Sequence, residues 1–185
     1  MTAPTAPTSS AGTTWKIDAS HSTVEFSAKH MMFTTVKGRL ADVEGTITVK
    51  GTTPDSATVQ ATMKAASIDT RTEQRDQHLR SADFLDADNF PEVTFASTKI
   101  EGSKEKFRMT GDLTIRGKSL PVTLDVTYEG TGKDPWGNER MGFSASGKID
   151  RREYGLVWNQ ALETGGVLVS NDIKIQIDAQ VIRAG

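Results

Sequence analysis

The sequence predicts an all-β protein, an eight-stranded antiparallel barrel with a short helical cap between its third and fourth strands. Three observations carry this reading. Apolar and polar residues alternate with a period of two from Trp15 almost to the C-terminus, the pattern of antiparallel strands with one face buried. Turn residues divide the alternation into about eight segments, a number that can close into a barrel and so remove exposed edges. One long stretch, 68–95 (IDTRTEQRDQHLRSADFLDADNFPEVTF), breaks the alternation and marks where the chain leaves its sheet.

The first thirteen residues, MTAPTAPTSSAGT, are small, polar and Pro-bearing, so 1–13 is read as a disordered leader and 14–185 as one domain. They lack the basic start and apolar run of a secretory signal. The expected location is therefore the cytoplasm, or the periplasm or exterior if a signal has been removed. In the first segment Val24, Phe26, Ala28 and His30 share the inner face. The second, 36–49, changes apolar parity from Val36 and Leu40 to Val43, Ile47 and Val49, which a bulge or bend near Ala41-Asp42 reconciles. The third turns Ala57, Val59, Ala61, Met63 and Ala65 inward.

Within 68–95, Thr70 and Glu73 stand in capping-box spacing before a short polar helix at about 72–80. Phe84, Leu85 and Phe90 follow among turn residues, and Pro91 ends the excursion. The stretch reads either as a fixed plug or as a lid over a ligand mouth. Beyond it, Val93, Phe95 and Ser97 share a face, then Phe107, Met109, Gly111, Leu113 and Ile115, before a tight turn at Gly117-Lys118. Leu120, Val122, Leu124, Val126 and Tyr128 come next, with Pro121 implying a strand start or an edge. A loop at 130–138 precedes Met141, Phe143, Ala145, Gly147 and Ile149. The segment 150–166 is irregular, and Val167, Val169, Ile173, Ile175, Ile177, Ala179 and Val181 form the last face.

Lys plus Arg is 22 against Asp plus Glu 24, a net charge of -2, which supplies no field for gripping nucleic acid. The absence of Cys excludes disulfides and thiolate nucleophiles. No apolar run approaches the roughly 20 residues of a membrane span. Among the inferred inner residues many are small, including Ala28, Gly38, Gly45, Ala61, Gly111, Ala145 and Gly147. Interiors pack to crystal-like density, so either large neighbours mesh over these positions or the lumen holds a guest. Parity and size select Phe26, Val59, Met63, Phe95, Phe107, Met109, Leu124, Phe143 and Ile175 as candidate ligand-binding wall residues. Trp158 joins them from the irregular segment, and His30 is the candidate polar contact at one end.

The runs DASHSTVEFSAKHMMFTTVKGRL, SIDTRTEQRDQHLRSADFLDADNFPEVTF, TGDLTIRGKSLPVTLDV and DPWGNERMGFSASGKIDRREYGLVWNQALETGGVLVS, with the final alternating strand, resemble the YceI-like family of polyisoprenoid-binding proteins over about 15–182. The resemblance implies a lipocalin-like barrel that holds a polyprenyl chain, prenylquinone or fatty-acid derivative. It also implies pairing into homodimers. Many relatives are periplasmic and carry a signal, which this sequence lacks. The expected function is thus noncovalent binding of a long hydrophobic small molecule for storage or transfer, with no catalytic residues, metal or further cofactor. The alternative is an enzyme acting on a lipid or quinone in the same lumen. No G-x-S-x-G, phosphate loop or H-E-x-x-H supports catalysis. His21 and His30 have opposite parity, so a metal site shared with His78 would need a bulge.

Overall fold

The computed structural model describes residues 12–185. Most of the proposed leader, 1–11, lies outside them, and Thr13 already pairs with Val49. The strands are β1 Thr13–Ile17, β2 Thr23–His30, β3 Thr34–Leu40, β4 Val43–Val49, β5 Ala57–Lys64 and β6 Ile68–Asp69, then β7 Glu92–Gly102, β8 Lys106–Ile115, β9 Lys118–Lys133, β10 Glu139–Asp150 and β11 Asp172–Arg183. Every pairing is antiparallel, and the order β1-β4-β5-β7-β8-β9-β10-β11 is closed by a β1–β11 ladder. That ring is the predicted eight-stranded barrel.

The remaining strands β2, β3 and β6 are continuations, not extra staves. β1 and β2 share β11 as neighbour, while β4 and β3 lie on their other side. β5 and β6 stand in the same relation to β4 and β3. Each pair is therefore one long strand bent in the middle, at the 3-10 turn Ala19–His21, at Ala41-Asp42 and at the 3-10 turn Ala65–Ser67. The parity switch expected at Ala41-Asp42 is one of these bends. Pro121 ladders with β8 opposite Asp112, whereas β10 joins β9 only from Asp125 onward. On its other side, therefore, no β10 ladder bond is asked of the proline.

Two stretches depart from the expectation. β9 runs on to Lys133 instead of ending at Gly130, because a bulge at Glu129 lets Gly130 (φ 142°) pair with Gly142 while Tyr128 pairs with Phe143. Val167 and Val169 lie outside β11 and make only isolated bridges to Ala161 and His30. The cause is local. Gly165 and Gly166 both take positive φ, and the Arg151 guanidinium donates to the Ser170 and Val169 carbonyls that a ladder would need.

The helix α1, Glu73–Arg80, starts where expected but is capped differently. Arg71 takes φ 66°, which makes Thr72 the N-cap, without a side-chain bond. The Thr70 N–H and hydroxyl both donate to Asp76 Oδ1, at 2.8 and 2.5 Å, so Asp76 and not Glu73 satisfies the entry to the helix. At the neighbouring turn Arg116 and Gly117 have φ 49° and 72°, the handedness that suits a two-residue hairpin. A side chain at Gly117 would meet the Phe90 ring at 2.7 Å. The cap buries Phe84, Leu85 and Ala87 in the same apolar cluster as Val43, Met63, Phe95, Met109 and Leu124. No described helix is long and apolar enough to cross a membrane.

Candidate functional site

Inside the ring is a cavity of about 440 Å³. Alternation puts every second side chain of each stave onto it. Phe26, Val59, Met63, Phe95 and Phe107 line it, as do Met109, Leu124, Phe143 and Ile175. Nine of the eleven side chains picked from the sequence are therefore brought together. Phe107 meets Phe143 edge-on at 6.5 Å, and Tyr128 lies 5.7 Å from Phe143.

The small residues divide into two kinds. Built-on Cβ atoms at Gly38, Gly111 and Gly147 would lie 2.5 Å from the Phe26 ring, 2.3 Å from the Phe95 ring and 2.6 Å from Leu124. These glycines let large side chains lie flat on the wall, so they do not widen the lumen. The space comes instead from alanines, since Ala28, Ala57, Ala61 and Ala145 all border the cavity.

His30 and Trp158 do not line the cavity. His30 is exposed at the end of β2, where it bridges Val169, because the strand has already reached the rim. Trp158 sits on the loop between β10 and β11 and packs edge-on against His78 of α1 at 4.6 Å, with Phe84 at 5.5 Å. It clamps the cap. His21 binds Asp18 and Ser20, and His78 binds Asp83, so the three imidazoles lie in separate settings. Among the described residues no three His, Cys, Asp or Glu side chains cluster as metal ligands.

The two ends of the lumen differ. One is closed by the cap through Leu79, Phe84 and Leu85, beside Arg151 and Tyr154. The other carries the hairpin loops with Thr52, Thr53, Pro54 and Lys104, whose ammonium lies 5.6 Å from the Tyr128 ring centroid. Arg151 is 3% exposed and Tyr154 2%. The guanidinium donates to the carbonyls of Leu156, Trp158 and Ser170 at 2.7, 2.8 and 2.9 Å, and burial pushes its pKa down. Among the described residues the Tyr154 hydroxyl has no hydrogen-bond partner. Burial, with a smaller push from the Glu153 charge, raises its pKa to about 12, so at neutral pH it is a protonated phenol.

The match to the YceI-like domain covers residues 15–181. The chain belongs to the YceI-like family. It is 39% identical over 171 residues to a UPF0312 protein of Staphylococcus aureus strain USA300, an alignment spanning 91% of this chain and 96% of that one. Among solved structures, a Campylobacter jejuni YceI protein is 33% identical, with a TM-score of 0.74 over 85% of this chain and 90% of its own. Burkholderia cenocepacia BcnA shares the fold at a TM-score of 0.77 and 23% identity, covering 89% and 98%. A polyisoprenoid binding domain from Saccharophagus degradans does so at 0.65 and 13%, covering 92% and 98%.

In this YceI-like barrel the pair missed by sequence reasoning is Arg151 and Tyr154, since both fall in the irregular segment 150–166, where no alternation says which side chains point inward. A local signal was present. Asp150 caps the one-turn 3-10 helix Arg151–Tyr154 by accepting from Arg152 N–H, and Gly155 ends it at φ 79°. A single such turn places residues three apart on one side, so Arg151 and Tyr154 both point inward.

Proposed function

We propose that this YceI-like protein binds a long hydrophobic ligand noncovalently in its lumen, a polyisoprenoid, prenylquinone or fatty-acid derivative, for storage or transfer. The observation that carries the reading is the cavity of about 440 Å³ walled by inward apolar side chains of the strands, within the roughly 300–1,000 Å³ of small-molecule sites. The S. degradans domain, named for polyisoprenoid binding, has the same fold and supports the ligand class. Each CH₂ taken from water contributes about 0.8 kcal/mol, less the cost of ordering a flexible chain. Chemistry on such a ligand would need a base or nucleophile beside the lumen. The polar groups at the closed end do not offer one, since Arg151 is spent on carbonyls and Tyr154 stays protonated.

The test is to fill the alanine-bordered space. Ala61→Trp and Ala145→Trp should abolish uptake of a long-chain lipid, read by native mass spectrometry, while the outward Thr110→Ala keeps it. Ala61→Leu, a smaller intrusion, should weaken uptake about tenfold by displacing one to two CH₂ groups' worth of ligand contact. Folded Trp variants with full affinity would overturn the lumen reading.

A further inference from the structure

The β2–β3 hairpin tip combines backbone strain with apolar exposure. In its turn the Phe33 N–H donates to the His30 carbonyl, and both central residues have positive φ, Met31 at 52° and Met32 at 71°. That conformation suits Asn-Gly and disfavours side chains such as Met. The strain does not serve burial. Met31, Met32 and Phe33 are 40%, 61% and 73% exposed. The tip rests on the loop between β10 and β11, where Met31 N–H donates to the Leu168 carbonyl and Met32 packs on Gly166. The same loop exposes Val157, carries Trp158 against the cap and sends Leu156 and Val169 to the lumen wall.

Behind the tip the outer face is basic. Lys148, Lys174, Ser27 and Lys37 stand in one row across β10, β11, β2 and β3, with Lys29 two pairs nearer the tip on the same face. Among the described residues Lys29, Lys37 and Lys174 have no carboxylate partner, whereas Lys148 pairs with Asp172. The acidic side chains of the adjoining loop are Glu153 and Glu163. In a chain of net charge -2, this row is a local concentration of positive charge.

We infer that the cap end docks on a phospholipid bilayer bearing anionic headgroups. Met31, Met32 and Phe33 enter the boundary between headgroups and acyl chains, and the lysine row faces the phosphates. A three-residue convex tip offers a protein partner far less than the roughly 800 Å² per side of a standard interface, whereas apolar side chains backed by cations suit an interfacial anchor. The inference rests on the lumen reading only in making the bilayer the source or sink of the ligand.

The experiment is co-sedimentation of the full chain with vesicles of phosphatidylcholine alone or with about 30% phosphatidylglycerol. The wild type should bind the anionic vesicles about tenfold more tightly than the neutral ones and lose most of that difference in about 0.5 M salt. The pair Met32→Ser and Phe33→Ser should lose binding to both. Lys37→Glu with Lys174→Glu should lose only the preference for anionic lipid. Met31→Asn with Met32→Gly, which fits the turn, should raise Tm by a few degrees and still lose binding, separating docking from folding. All three variants should keep lumen uptake of a soluble probe, myristate, and Ala61→Trp should lose uptake while sedimenting normally, so the two readings fail separately. Wild-type protein that sediments with neither vesicle, or a tip pair that binds like wild type, overturns the docking. So does a tip pair that turns a dimer into a monomer without vesicle binding by the wild type, since the tip would then cover a second copy.

Discussion

A buried hydroxyl without a partner is an uncompensated cost, about 1–3 kcal/mol by mutational measures, and Tyr154 Oη is such a group. Tyr154→Phe removes the oxygen and keeps the ring. It should therefore leave the empty protein unchanged or more stable by about 1 kcal/mol, a Tm rise of about 2–4 °C at this size, measured by scanning calorimetry. The pH dependence has a definite sign. The folded pKa of Tyr154, about 12, is raised above an unfolded value near 10. Its contribution is thus intact below about pH 10 and lost as pH rises toward 12, because the unfolded phenol ionises first. Tyr154→Phe should remove that part of the alkaline instability, and a variant that melts in parallel with wild type from pH 9 to 12 would contradict the assignment.

At the scale of elements the cap decides how the lumen is reached. Its underside, Leu79, Phe84 and Leu85, borders the cavity, and it is held from outside by Trp158 against His78 and by Arg116 Nη1 donating to the Phe84 carbonyl at 3.2 Å. A bound tail touching the underside favours the closed state, so if the cap is a lid, hydrogen exchange in 70–90 should slow when lipid is added. Replacing Phe84 and Leu85 with Ala removes two buried anchors, each worth about 2–5 kcal/mol in a core, and should speed lipid release by at least tenfold while the strands persist. Exchange equally slow in the empty and filled protein, with release unaffected, would make the segment a plug and place the entrance at the hairpin end. The excursion was legible in the sequence because losing a period-two pattern over 68–95 is a strong signal. Its attachments were not, because Trp158 lies eighty residues from His78 and no local spacing links them. The same contrast separates the bends. A parity flip betrays the one at Ala41-Asp42, whereas β6 is two residues long and too short to show alternation. Wall residues on regular strands could be read from parity. His30 could not, because parity says which face a residue takes and not whether its strand has passed the rim.

For the whole molecule, closure depends on β1, a five-residue strand that pairs with β11 at Trp15↔Arg183, Lys16↔Ile182 and Ile17↔Val181. So short a ladder is the weak seam of the ring, and one guanidinium ties the parts around it. Arg140 on β10 donates from Nη1 to Asp18 Oδ2 at 2.6 Å and to Gln180 Oε1 at 2.8 Å, and from Nε to Asp134 Oδ2 at 2.8 Å. These contacts join the turn after β1, strand β11 and the β9–β10 hairpin. Hydrogen bonds from Arg140, then from Asn138 and the Trp136 N–H, hold Asp134 down to about 2. Asp18 lies well below the usual carboxylate range, first through the Ser20 hydroxyl and next through Arg140 and His21. Both folded pKa values lie below the unfolded one, near 3.9, so this stabilisation is full above about pH 4 and drains as pH falls, the Asp134 part through about 2 and the Asp18 part at lower pH still. Arg140→Gln should lower Tm at pH 7 and flatten the fall in Tm between about pH 4 and pH 2, since the cation that depresses both carboxyls is gone. The measurement is Tm against pH for wild type and variant. Parallel curves would show that the β1–β11 ladder closes the barrel without help from the guanidinium.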